Sequence, residues 1–191
     1  MRGKLNRAST AAAYHANWNM HLSFLSRLFR APTDRQRYQP LYDAIIARGR
    51  DPSWYRAGQV PDTVTGRFDM IAMVMALVLI RIESEGREGM RATALLTEIF
   101  VQDMEGSIRQ MGIGDLVVSK HLGRMMSALG GRLGALRRTS DLEATVRRNI
   151  FHEAPPSESA VETVSAMLQE FRERLAAMPA GQILEGELPQ L

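Results

Sequence analysis

The longest unbroken run of apolar residues in the chain extends from Met70 to Ile80 and lies between Asp69 and Arg81. This run of eleven residues falls well short of the ~20 that a membrane-spanning helix needs. A run of this length with a charge at each end is typical of a helix buried inside a protein. The segment from Trp54 to Arg81, which contains the run, is therefore predicted to form the centre of the fold.

Elsewhere after Pro32, apolar residues recur at intervals of three and four, the spacing of one face of an α-helix. The stripes are Tyr38, Leu41, Tyr42, Ile45 and Ile46; Met90, Leu95, Ile99, Phe100, Met104 and Ile108; Val118, Leu122, Met125, Met126 and Leu129; and Val161, Val164, Leu168, Phe171 and Leu175. No segment alternates between apolar and polar residues with period two, so a β-sheet has no obvious source. The pattern predicts an all-α fold, a single compact multi-helix domain around a buried central helix.

Glycine, proline and capping residues predict where these helices begin and end. The predicted boundaries are a polar turn from Glu83 to Gly89, a turn from Gly112 to Asp115, a helix end at Gly130-Gly131, a shorter helix from Ser140-Asp141 through Ile150, a last helix from Ser157, and a stop at Pro179. Three regions follow: a basic N-terminal arm at residues 1–32, a helical domain at residues 33–178 and a tail at residues 179–191.

The N-terminal arm differs in composition from the rest, since the first 33 residues contain no acid. Residues 1–19 are small, polar and basic, and we expect them to be poorly ordered. They suit an organellar transit peptide, an extension upstream of an alternative start at Met20, or a flexible arm. Residues 20–30 have the spacing of a short amphipathic helix, placed either on a membrane surface or on the domain itself. The membrane-contact candidates are Leu22, Phe24, Leu25, Arg27, Leu28, Phe29 and Arg30.

Charge is distributed unevenly along the chain, and this bears on the choice of partner. Residues 1–60 contain ten Lys/Arg against three Asp/Glu, whereas residues 141–191 contain four against nine. A basic start suits anionic lipid, RNA or an acidic protein surface. The chain has no cysteine. Disulfides, cysteine-ligated zinc, iron–sulfur clusters and thiol nucleophiles are therefore excluded, and a reducing compartment fits best.

The residues that catalytic and metal sites require are scattered along the sequence. His15, His21, His121 and His152 include no pair at metal-ligand spacing on one helix, and no Glu-x-x-His motif occurs. A G-x-S-x-G elbow and a phosphate-binding glycine loop are also missing. We therefore predict a non-enzymatic protein with no cofactor, metal or small-molecule substrate. His121 as a single haem ligand stays open as an alternative.

A helical nucleic-acid-binding regulator is another alternative. Short helices joined by a glycine turn are typical of a helix-turn-helix, and the arginines at positions 124, 132, 137 and 138 would form its basic face. Against this, the helix that would enter DNA begins with an acid followed by aliphatic residues, from Asp115 to Val118. A recognition helix begins instead with polar and basic residues.

The segment from Trp54 to Asp69 combines several residues with special backbone roles. Pro61 fixes the direction in which the chain enters the central helix, and Asp62 or Thr63 can cap its first amides. Gly66 lies in the first turns, where glycine costs ~1 kcal/mol relative to alanine. A close backbone contact, with Trp54 or with a partner helix, is expected to offset that cost.

Arg67 and Asp69 flank Phe68 at the start of the apolar run. The two charges can pair with other charges of the fold or face a partner. A capped core helix that packs on a buried Trp54 is the alternative interpretation of the same segment.

Taken in order, a series of short motifs resembles the ubiquinol–cytochrome c chaperone family. The matching residues are Trp54-Tyr55, Val60-Pro61-Asp62-Thr63, Gly66-Arg67-Phe68, Arg81, Phe100 to Asp103-Met104, Arg109 with Gly112-Ile113-Gly114-Asp115, Gly131-Arg132-Leu133 and Arg148-Asn149. The resemblance extends from about Tyr38 to Ile150. One departure is Leu129-Gly130, where many members have an aromatic pair that would be a natural contact.

The resemblance implies a chaperone that assists assembly of respiratory complex III by binding newly made cytochrome b near the membrane. A ribosome or a small helper subunit is a further candidate partner. The implied location is cytoplasmic and peripheral at the inner membrane of a bacterium, or alternatively the matrix side of a mitochondrion. The residues that we assign to partner binding are Trp54, Tyr55, Pro61, Asp62, Arg67, Phe68, Asp69, Arg109, Asp115 and Arg132.

Overall fold

The computed structural model describes residues 32–110, 115–138, 141–152 and 155–191, with the side chains of residues 32–34 and 115–117 outside the description. Every regular element in these ranges is an α-helix, which confirms the predicted fold class. The helices are α1 (Pro32–Gly49), α2 (Pro52–Arg56), α3 (Val64–Glu83), α4 (Gly86–Gln110), α5 (Asp115–Arg138), α6 (Leu142–Asn149), α7 (Glu158–Ala177) and α8 (Ala180–Leu184). The predicted membrane-contact residues, from Leu22 to Arg30, lie outside the described residues.

Helix α3 is the buried centre that the apolar run predicts. Every residue from Met70 to Leu79 is buried, whichever side of the helix it faces. Helices α4, α5, α7 and α8 all pack against α3. A helix that is apolar all round needs neighbours on every side, which explains why so many helices surround this one.

The surrounding helices are amphipathic and turn their apolar stripes inward. On α7 the predicted stripe from Val161 to Leu175 is buried at each of its five positions. On α1 the buried residues are Tyr38, Leu41, Tyr42 and Ile45. On α4 the predicted stripe is buried from Leu95 to Ile108, but Met90, which was predicted to belong to it, is 60% exposed. The period of three and four in the sequence is therefore the period of burial in the fold.

Three side-chain caps fix the starts of helices where the sequence predicts them. Thr63 accepts a hydrogen bond from the Gly66 amide at 3.0 Å, and Asp141 accepts one from the Ala144 amide at 2.9 Å. Ser157 accepts one from the Ala160 amide at 3.1 Å. Each cap satisfies one of the amides that the first turn of a helix leaves without a backbone partner.

Two predicted boundaries are wrong. The turn between α3 and α4 is shorter than Glu83 to Gly89, because α4 already begins at Gly86, whose φ of 65° suits a glycine. Helix α5 does not end at Gly130-Gly131 but continues to Arg138. Burial of Leu129 and Leu136, on either side of the two glycines, offsets the low helix propensity of glycine.

The C-terminal residues are attached to the helical core. Within the segment predicted as a tail, α8 buries Ile183. Arg81, at the end of α3, donates hydrogen bonds to the carbonyl oxygens of Leu175 and Met178 at 3.3 and 2.9 Å. A cation at these last carbonyls stabilises the C-terminal end of α7.

Residues Arg35–Leu191 form one compact unit. The domain boundaries that the sequence predicts, at residues 33 and 178, stay predictions. No described helix is long and apolar enough to cross a membrane.

Candidate functional site

The short helix α2, which precedes α3, is held in place by a buried side chain. The Trp54 side chain is fully buried, and its indole N–H donates a hydrogen bond to the Arg48 carbonyl at 2.8 Å. The neighbouring Tyr55 hydroxyl donates to the Gly49 carbonyl at 2.9 Å. Both aromatic residues thus fix α2 against the end of α1, and Trp54 offers no surface to a partner in this structure.

Gly66 is required by a contact within the chain. A Cβ atom built at this position would lie 2.0 Å from the carbonyl oxygen of Pro61, which leaves no room for a side chain. The expected close contact therefore exists, but it involves Pro61 rather than Trp54. This contact holds the segment that precedes α3 close to the first turn of the helix, and so fixes the positions of Arg67, Phe68 and Asp69.

A buried cluster of charges joins three segments of the fold. Asp69 of α3 accepts a hydrogen bond from Arg132 of α5 through one carboxylate oxygen and pairs with His152 through the other, at 2.8 Å from His152 Nε2. Arg132 also donates to the Asn149 carbonyl at 2.7 Å, at the end of α6. Both side chains of the ion pair are almost wholly buried, at 4% exposure for Asp69 and 3% for Arg132.

Burial dominates the electrostatics of this pair. It raises the pKa of the Asp69 carboxyl above its ordinary value, although Arg132 and His152 both favour the charged form. Burial likewise lowers the pKa of the Arg132 guanidinium, against the effect of Asp69. The two charges therefore compensate each other inside the protein, and either one alone would be costly there.

A cleft opens above this ion pair between α3, α5 and the end of α6, with a volume of about 480 Å³. We call it the α3–α5–α6 cleft. Its walls are formed by Thr65, Phe68 and Asp69 of α3, Arg124, Met125, Ala128, Gly131 and Arg132 of α5, and Arg148, Asn149 and His152 around the end of α6. The Phe68 ring lies 6.1 Å from the Phe100 ring and 6.0 Å from the Arg132 guanidinium carbon.

A second group of predicted residues lies on α2 and next to it. Arg67 donates to Asp62 at 2.6 Å, and both side chains are more than half exposed. A shallow depression of about 370 Å³ is lined by these two residues together with Arg50, Pro52, Tyr55 and Arg56. Burial raises the pKa of the Tyr55 hydroxyl. We call this group the α2 surface.

The predicted partner-binding residues thus fall into two groups of three, with four residues outside both. Phe68, Asp69 and Arg132 line the α3–α5–α6 cleft, and Tyr55, Asp62 and Arg67 lie on the α2 surface. Pro61 belongs to the connection between them, and Trp54 is interior. Arg109 is exposed on α4 and pairs with Glu105 at 2.9 Å. Asp115 begins α5, with its side chain outside the description. A role in partner binding stays a prediction for all of them.

The basic face suggested for a nucleic-acid-binding protein is not a continuous surface. Arg132 is buried with Asp69, and Arg137 donates to both carboxylate oxygens of Glu83 at 2.5 Å. Two of the four arginines are therefore neutralised within the fold, which leaves Arg124 and Arg138 too few to form the expected stripe.

Sequence reasoning left most of the cleft out of the site, including Arg124, Arg148, Asn149 and His152. Arg148 and Asn149 were visible as an Arg-Asn pair of the family resemblance, and Arg124 as one cation of the nucleic-acid alternative. His152 had no signal of its own, because its partner Asp69 is 83 residues away in the sequence.

Comparison with known proteins gives a match to one protein family and to one solved structure. The sequence model of a family described as ubiquinol–cytochrome c chaperone matches residues 56–190. Among solved structures, the crystal structure of the Cbp3 homologue from Brucella abortus superposes with a TM-score of 0.70 at 25% sequence identity, over 86% of this chain and 95% of that one. No curated protein is significantly similar to the sequence.

Proposed function

The chain belongs to the ubiquinol–cytochrome c chaperone family, and from this premise we propose that it binds newly made cytochrome b during assembly of the ubiquinol–cytochrome c reductase complex. Family membership makes it an assembly chaperone for respiratory complex III and implies a non-enzymatic role. The identity of the client is the part that we add.

The observation that best supports this function is the meeting of separate family motifs in one place. Phe68 belongs to Gly66-Arg67-Phe68, Gly131 and Arg132 belong to Gly131-Arg132-Leu133, and Arg148 and Asn149 form the last motif. All five residues line the α3–α5–α6 cleft. Phe68, Met125 and Ala128 give this cleft apolar walls beside its polar side chains. A protein with membrane helices needs its apolar surfaces covered until assembly, and an apolar cleft on a chaperone can provide such cover.

Co-purification with the client tests the proposal. A tagged copy of the full chain, expressed in its own cells and purified in mild detergent, should enrich cytochrome b over an unrelated tagged protein. Recovery of no complex III component, from cells that are making the complex, would contradict the function. The enrichment should be greatest while cytochrome b is being synthesised and should fall when its synthesis is blocked.

Arg67 gives this experiment a variant with a matched control. Arg67→Glu places a second carboxylate beside Asp62 on the α2 surface, and we expect it to weaken capture while helical content stays unchanged. Arg174→Glu breaks a comparable exposed pair with Glu170 on α7 and should leave capture intact. If Arg67→Glu unfolds the chain, the residue is structural rather than a partner contact.

We place the protein at the inner membrane of a bacterium as a peripheral protein, with the matrix side of a mitochondrion as the alternative. The acid-free N-terminal arm supports attraction to an anionic membrane surface. A ribosome or a small helper subunit would be recovered in the same purification, which makes both partners testable without a separate assay.

A further inference from the structure

Gly131 leaves the α3–α5–α6 cleft open. A Cβ atom built at this glycine meets no other atom within 4 Å, so the space beside α5 is empty there. Phe68, Met125 and Ala128 supply apolar walls around that space. Glycine is a poor residue for the interior of a helix, and no neighbouring atom excludes a side chain at this position.

The rim of the cleft carries two positive charges. Arg124 on α5 and Arg148 on α6 are both exposed, and neither has a carboxylate within ion-pair distance among the described residues. The acid in the cleft, Asp69, is already neutralised by the buried Arg132. The cleft therefore combines apolar walls with a net positive rim.

Taken together, these features lead us to propose that the α3–α5–α6 cleft is the docking site for the client, and that it receives a segment in which a large apolar side chain lies next to a carboxylate. The apolar side chain fills the space left beside Gly131, and the carboxylate pairs with Arg124 or Arg148. This inference rests on the proposed function and deepens it by naming the surface and the kind of segment that the surface selects.

Charge complementarity and shape both favour this occupant over simpler ones. A nucleic acid or a free anion would use the two arginines but would gain nothing from Phe68, Met125 and Ala128. A uniformly apolar segment would fill the space between the apolar walls but would leave both arginines without a carboxylate to pair with. A segment at the border between a membrane helix and its polar flank offers both chemistries within one turn of chain.

Adjacent glycines allow a closely matched test. Gly131 lines the cleft and Gly130 does not, yet a Cβ atom at either position meets no atom within 4 Å. Gly131→Leu fills the cleft, whereas Gly130→Leu adds the same side chain outside it. Both variants replace a helix-interior glycine by a good helix former, so both should fold at least as well as wild type.

The readout is the amount of cytochrome b that the tagged full chain captures when the two proteins are co-expressed. We expect Gly131→Leu to lower capture about tenfold, the effect of losing one well-packed interface contact, and Gly130→Leu to change it about twofold or less. Far-UV circular dichroism and the thermal midpoint confirm that both variants are folded.

The rim charges give a second arm that does not depend on filling the cleft. Arg148→Glu and Arg124→Glu should each lower capture several-fold, Arg148→Lys should retain most of it, and capture by wild type should fall as salt increases. If Arg148→Glu and Arg124→Glu both capture as much cytochrome b as wild type, the carboxylate part of the proposal is wrong.

The possible failures are distinguishable. If wild type captures no cytochrome b, the proposed function itself fails. If wild type captures it and Gly131→Leu does so equally well, the function stands and the docking site is wrong. If wild type is a dimer in solution and Gly131→Leu is a monomer, the occupant is a second copy of the chain, which also overturns the proposal.

Discussion

Asp69 is a carboxylate in the first turns of the most apolar of the described helices, and its effect on stability depends on what it pairs with. Two partners reach it from distant parts of the chain, Arg132 from α5 and His152 from beyond α6. A buried ion pair adds little net stability compared with apolar residues of similar size, but it restricts how the helices can pack. In this fold the pair fixes α5 and the end of α6 on α3, and thereby sets the width of the cleft above it.

Removing one member of this pair should therefore be much worse than removing both. Arg132→Met leaves Asp69 buried with only the half-exposed His152, and we expect a loss of about 3–5 kcal/mol in the free energy of unfolding, measured with urea. The double variant Asp69→Leu/Arg132→Met should regain most of it. Arg67→Met, which breaks an exposed pair, is the control and should unfold near the wild-type midpoint. A double variant as unstable as the single one would contradict this account.

Tyr42 should make the fold sensitive to high pH. Burial, together with a 2.7 Å hydrogen bond from its hydroxyl to Asp103, raises the pKa of Tyr42 far above its ordinary value of 10.0. The folded chain therefore keeps a proton that the unfolded chain releases above about pH 10, so stability must fall as pH rises through that value. Urea unfolding between pH 9 and pH 11 (about one unit on each side of that value) should show a shallower fall for Tyr42→Phe than for wild type. Equal slopes would exclude Tyr42 as the source.

At the scale of elements, the start of α3 depends on the absence of a side chain at Gly66. Gly66→Ala places a methyl group 2.0 Å from the Pro61 carbonyl oxygen, so the entering chain must move. We expect a loss of about 1–3 kcal/mol, the usual cost of overpacking. Gly106→Ala is the control, because a Cβ atom at that position of α4 meets nothing within 4 Å, and it should gain up to about 1 kcal/mol. Thermal unfolding that ranks the two variants in the opposite order would refute this explanation.

Helices were predictable from the sequence where one signal acted alone. The run from Met70 to Ile80 is apolar on every side, so it predicts a buried helix by itself. The caps at Asp141 and Ser157 each accept a hydrogen bond from an amide only three residues further along the chain. At Gly130-Gly131 two signals competed. Local propensity favours a helix end there, but the burial of Leu129 and Leu136 on one face continues α5 past both glycines.

The site was less predictable than the helices, for a reason of distance along the chain. Arg132 is 63 residues from its partner Asp69 in the sequence, and His152 is 83 residues from it. Neither contact can be predicted from the spacing of nearby residues. Motifs pointed to Phe68 and Arg132 as members of a site, but they could not show that Arg132 is buried and that its neighbour Gly131 leaves a space. Packing of α5 and α6 against α3 creates both features.

At the scale of the whole molecule, the α2 surface and the α3–α5–α6 cleft are linked through the start of α3. Arg67 of the α2 surface and Phe68 of the cleft are consecutive residues, so they leave the same turn in different directions. A change in the entry to α3 should therefore disturb both surfaces. Variants at Arg67 and at Gly131 separate them, because each alters one surface and leaves the backbone of that turn unchanged.

The final prediction concerns the proposed association of the molecule with a membrane. Residues 1–30 combine apolar residues at helical spacing with basic residues and no acid, a combination that binds anionic membrane surfaces by insertion and by charge together. Deleting residues 1–30 should shift the protein from the membrane to the soluble fraction. An unchanged distribution would reject this role for the arm.

Point variants in the full chain separate insertion from charge. Leu28→Asp and Ser26→Asp each add one negative charge, so both weaken electrostatic attraction equally, but only Leu28→Asp also removes an apolar side chain from the stripe. A larger loss of membrane binding for Leu28→Asp, measured by flotation on vesicles that contain anionic lipid, would show that the arm inserts. Equal losses would show that it is held by charge alone, and in that case raised salt should release wild type completely.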